Sequence, residues 1–150
     1  MRMTNSIKYG LYTSLALIVY FLSMKLFGLE KNFYLRFLNF LFIILGIYAL
    51  IKQELKKPDA TYFSTLIQGI SMTVVTVLTF LVFLAIYIKA FDPSFIEVME
   101  DSQIWGNQLS VIQASVAIFI EGMASGLVIT FAWLQYFKNS FSSVEANKAS

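Results

Sequence analysis

No cysteine and no histidine occur among the 150 residues. The first absence excludes disulfides, thiolate nucleophiles and thiolate metal sites. The second removes the commonest general base and the commonest metal ligand. Charge is scarce as well: Asp, Glu, Lys and Arg make up 13% of the chain, against about 25% in a soluble domain. The net charge of +2 is scattered and offers no basic patch to nucleic acid. Proline occurs twice, each time between apolar runs, where it interrupts no helix. What remains is apolar: 58% of residues are hydrophobic and 17% aromatic, with a mean hydropathy of +0.71. So few charges could not cover a water-soluble domain of this size, and the chain reads as a membrane protein.

A hydrocarbon core of about 30 Å takes about 20 apolar residues of helix. Residues 9–24 are uncharged between Lys8 and Lys25, and the stretch runs on through Leu26, Phe27 and Leu29. Lys25 reaches the headgroups by snorkelling. The second run, 37–51, gains spanning length from Phe33, Tyr34 and Leu35. The third, 60–88, has no charge at all, and the fourth, from Ser102 to Phe137, is broken only by Glu121. These runs predict an all-α, polytopic membrane protein. It is a four-transmembrane-helix bundle with spans at about 9–29, 33–52, 62–90 and 108–138. Asp92-Pro93 reads as an N-cap and first helical residue. It opens a short interfacial helix over 92–106, between spans three and four, with Phe95, Ile96 and Met99 on one side and Trp105 as anchor. Glu97, Glu100 and Asp101 then face water, and a plain structured loop is the alternative. The tail 139–150 is polar and is expected to be disordered.

Lysine and arginine set the orientation. Arg2, Lys8, Lys52, Lys56, Lys57, Lys138 and Lys148 fall on one side, and Lys25, Lys31, Arg36 and Lys89 on the other. The richer side, with both termini, is expected to be cytoplasmic. Trp133 and Tyr136 then mark the inner interface. No A-x-A-like cleavage site follows the first apolar run, so the first span is expected to stay as an uncleaved signal anchor. A parallel two-plus-two repeat is also suggested by Gly10 and Gly69 in spans one and three, and by Gly46 and Gly126 in spans two and four.

Glu121 breaks the composition rule. A charge near the bilayer midplane costs roughly 2.5–3.5 kcal/mol, so the expectation is a protonated or inward-facing carboxyl. Gly122 and Gly126 form a GxxxG pair with Ser125 beside it, within the mostly small row Ala114, Ile118, Gly122, Gly126 and Thr130. On span three, Thr65, Gly69, Thr73, Thr76 and Thr79 share a face. If spans three and four are antiparallel neighbours, equal depth means residue numbers summing to about 199, which brings Glu121 to Thr76 and Thr79. Tyr20 lies within about one turn of that depth on span one. The candidate polar site is therefore Glu121, Thr76, Thr79, Ser125 and Tyr20, with Gly122, Gly126, Gly69 and Thr73 as packing residues. Two readings stay open. One is a packing or partner-docking role, with a protonated Glu121 clasping Thr hydroxyls between helices or the hydroxyls bonding their own i−4 carbonyls; the other is a proton- or ion-carrying carboxylate.

Elsewhere, Arg36 and Asn39 suit interface anchoring or a headgroup, and Gln68 and Gln113 need only local hydrogen bonds. Lys52, Lys56 and Lys57 suit topology and anionic lipid. Asp92, Glu97, Glu100 and Asp101 read as a solvated helix face or a weak divalent-ion site. No Gly-rich phosphate loop is present, no cofactor or metal is expected, and enzymatic function is not.

The stretch SIKYGLYTSLALIVYFLSMKLFG, a second span ending GIYALIK and a third with QG near its start form one pattern with the loop FDPSFIEVMED and the segment IEGMASGLV. In these features the chain resembles the four-helix inner-membrane proteins of Bacteroidota grouped as a domain of unknown function. The resemblance covers almost the whole chain and implies a bacterial inner-membrane location and a four-span fold. It implies no activity and no site residues. The expected function is that of a non-enzymatic accessory or scaffold subunit, with the lipid bilayer and a membrane-protein partner or second copy as partners. A small proton-coupled transporter or channel using Glu121 is the alternative.

Overall fold

The computed structural model describes residues 4–29, 37–91, 93 and 111–142. Four long helices run through them: α1 (Thr4–Leu26), α2 (Leu38–Glu54), α3 (Tyr62–Ala90) and α4 (Val111–Tyr136). No strand occurs among the described residues. Three of the helices are long and apolar enough to cross a membrane, over Asn5–Leu26, Tyr62–Ala90 and Ile112–Tyr136. Helix α2 has 17 residues, about 25 Å at a rise of about 1.5 Å per residue. It begins after its N-cap Phe37; Phe33, Tyr34 and Leu35, which lengthen the second sequence run, lie outside the described residues. The expected interfacial helix over 92–106 also falls almost wholly outside them.

Local chemistry sets the ends of α1 and α3. The amide of Leu29 donates to Met24 O at 2.9 Å and that of Gly28 to Lys25 O at 3.1 Å. This is a Schellman closure, and it needs Gly28 in the left-handed region, where its φ is 65°. At the start of α3, the Thr61 side chain accepts from the Ser64 amide at 3.2 Å, satisfying one of the unpaired donors of a first turn.

The helices alternate in direction. Ser6 at the start of α1 hydrogen-bonds Gln68 near the start of α3, and Asn5 reaches Glu54 at the end of α2. Tyr62 at the start of α3 meets Phe131 and Phe141. One end of the bundle therefore gathers the start of α1, the α2–α3 turn and the end of α4. Helix α3 packs most heavily, against both α1 and α4, while α2 bridges α1 and α4 on the other side. Leu11, Leu15 and Val19 of α1, Leu78, Val82 and Ile86 of α3, and Val116, Ile120 and Val128 of α4 point outward. That surface suits lipid rather than water.

Glycine governs how closely the helices approach. A Cβ on Gly126 would meet the Thr73 side chain, one on Gly69 would meet Thr130, and one on Gly122 would lie 2.7 Å from Val77 Cγ2. In each pair the residue numbers sum to 199, so α3 and α4 are antiparallel neighbours in the register expected from equal depth. The repeat is only partial. Gly46 sits against Thr13 as Gly126 sits against Thr73, yet Gly10 packs on Val75 of α3 while Gly69 packs on α4.

The packed chain also extends past the expected start of the polar tail. Residues 138–142 are helical, and Phe141 is 3% exposed in the cluster of Ile47, Leu50, Ile51, Met72 and Leu134. The reason is spacing: Phe137 and Phe141, four residues apart, fall on the face that α4 turns inward. On that side of the bundle the Trp133 ring lies 4.8 Å from Tyr48, and its Nε1–H donates to Ile44 O at 3.1 Å. Trp133→Phe keeps the ring and loses the donor, so the thermal midpoint in mild detergent should fall by an amount equivalent to about 1 kcal/mol. An unchanged midpoint would mean that this carbonyl, already in the α2 ladder, gains nothing from a second donor.

Candidate functional site

The polar positions singled out by sequence do not form one cluster. Thr76 is buried, and its hydroxyl bonds Met72 O at 2.9 Å and Gly10 O at 3.2 Å, tying α3 to α1. Thr73 is buried against Gly126 and donates to Gly69 O at 3.0 Å. Ser125 donates to the backbone carbonyl of Glu121 at 2.7 Å, Thr79 is half-buried, and Tyr20 turns to α2, its ring 5.3 Å from Phe42. Most of these hydroxyls thus follow the i−4 pattern.

Glu121 departs most from expectation. Its side chain is exposed on the outer surface of the bundle rather than turned inward, and among the described residues nothing donates to its carboxyl. The cause is the packing row. Helix α4 meets α3 along Gly122 and Gly126, flanked by the buried Ala114 and Thr130. Glu121 precedes Gly122 by one residue, about 100° round the helix, so docking the glycine row turns the carboxyl aside. It remains near the middle of α4, with Leu78 opposite in the 199 register.

A second polar group was not singled out in the sequence. Glu54, at the end of α2, is 4% exposed. Its carboxylate takes Lys57 Nζ at 2.5 Å and 2.6 Å and Asn5 Nδ2 at 2.9 Å. Ser6 and Gln68, both buried, hydrogen-bond each other in the same part of the fold. Three helices and the α2–α3 turn thus meet in a polar knot whose one buried charge is paired and hydrogen-bonded, as burial requires. The signal in the sequence is the i, i+3 spacing of Glu54 and Lys57 at the end of an apolar run.

Chemically, the knot is self-satisfied, while Glu121 is a carboxyl with an open coordination sphere. No group of three or more potential metal ligands occurs among the described residues. Comparison of the chain with protein-family models, curated proteins and solved structures gives no match.

Proposed function

We propose that this chain is a small integral membrane protein acting as a non-enzymatic accessory or scaffold subunit through its helix faces. In this reading it spans the bacterial inner membrane four times, with both termini in the cytoplasm, as the resemblance to the Bacteroidota family and the lysine distribution suggest. The observation that carries it is the position of Glu121: an ionisable side chain at mid-helix on the outer surface, with the buried Thr73 and Thr76 hydroxyls engaged elsewhere. Such a group is costly against lipid and useful against a partner. Proton-coupled transport would need the carboxyl beside a water path within the bundle, and its outward exposure favours docking.

The test is a mild-detergent pull-down of the tagged chain from its native membrane, with stoichiometry by mass spectrometry. A partner in fixed ratio is expected. Recovery of the bare chain, together with proton flux in vesicles that Glu121→Gln abolishes, would replace this reading with transport.

A further inference from the structure

We propose that the Glu121 face of α4 seats another protein's membrane span, one that carries a lysine or arginine at mid-depth. The inference deepens the accessory-subunit reading and rests on it. The carboxyl marks the spot, and alanines share its face toward the end of α4. Ala124, Val128 and Ala132 follow Glu121 at i+3, i+7 and i+11, all exposed, with half-buried Ser125 at the edge. These spacings place them on one face. The exposed rows on the outer faces of α1 and α3 include Leu11, Leu15 and Val19, and Leu78, Val82 and Ile86, with no alanine among these. Small side chains let a second backbone come close enough for its polar group to reach the carboxylate.

The charge selects the partner. A carboxyl at mid-depth is stabilised as the carboxylate by an opposite charge at the same depth. The chain's own cations on the described helices, Lys8, Lys25, Lys52 and Lys89, lie near helix ends. A second copy docked on the same face about a two-fold axis presents carboxyl to carboxyl and supplies no cation. A foreign span with a central cation instead removes both charges from lipid in one contact.

The test uses the full chain labelled at a single added thiol, Ser150→Cys, since no native cysteine competes. In phosphatidylcholine vesicles it is titrated with leucine-alanine span peptides that carry an acceptor dye and a central lysine, leucine or glutamate. By energy transfer, the lysine peptide should associate about tenfold more tightly than the leucine peptide, and Glu121→Leu should remove the difference. Equal association of the two peptides with the inserted, helical chain overturns the proposal. So does self-association that Glu121→Leu abolishes without any lysine preference, which makes the occupant a second copy. A stoichiometric pull-down partner retained unchanged by Glu121→Leu overturns the assignment of this face and leaves the accessory-subunit reading standing.

Discussion

Gly126→Val should separate α3 from α4 and destabilise the bundle by about 3 kcal/mol, at the upper end of ordinary overpacking costs. A Cβ at this position lands on the Thr73 side chain. Thr73 cannot swing away cheaply: it is β-branched, which restricts its rotamers, and its hydroxyl is committed to Gly69 O. Gly126→Ala introduces the same collision with less bulk. Combined with Thr73→Ala, which removes the two nearest of the colliding atoms, it should lie closer to the parent than Gly126→Ala alone. That coupling is the signature of direct contact in a double-mutant cycle. Gly28→Ala serves as the control, because a Cβ there meets no atom within 4 Å and only the left-handed backbone opposes it, at about 1 kcal/mol. Helicity followed during denaturant titration in mild detergent would rank the variants. A Gly126→Val protein as stable as the parent would show that the two helices do not approach at this crossing.

Lys57→Met should cost a similar amount for a different reason. Glu54 keeps its Asn5 hydrogen bond but loses the cation that meets both its oxygens, and its side chain is only 6% exposed. Removing one partner of a buried ion pair typically costs 3–5 kcal/mol, because the other charge is stranded. Lys57 itself is 19% exposed, so some water can follow the lost ammonium, and about 3 kcal/mol is the expected loss. Adding Glu54→Gln removes the stranded charge, so the double variant should be more stable than Lys57→Met. The same denaturant titration checks both. A harmless Lys57→Met would mean that water already solvates the carboxylate.

These two sites differ in how legible they were. Depth is a one-dimensional property that charge-free runs reveal, so once α3 and α4 are antiparallel neighbours, run lengths give the register that sets Gly122 against Val77 and Gly126 against Thr73. Rotation about the helix axis is another matter. Ala117, Glu121 and Ser125 form a row beside the glycine row, and only the packed structure shows which row docks. With the glycines against α3, the apparent Glu–Thr site dissolves, and Thr76 bonds Gly10 O instead. The polar knot was illegible for a further reason: Asn5 and Glu54 are separated by 49 residues, and Ser6 and Gln68 by 62. No local pattern reports such a pairing. Phe141 was lost within a polar segment, where one aromatic residue carries little periodic signal.

The same separations bear on how the protein is made. At about 5–20 residues per second, roughly 3–12 s pass between the synthesis of Ser6 and that of Gln68. Throughout that interval Ser6 waits for Gln68, and Asn5 waits through most of it for Glu54. Because Asn5 and Ser6 lie in the first turn of α1, headgroup water can serve them meanwhile. The knot is therefore a late closure, formed when the third helix arrives.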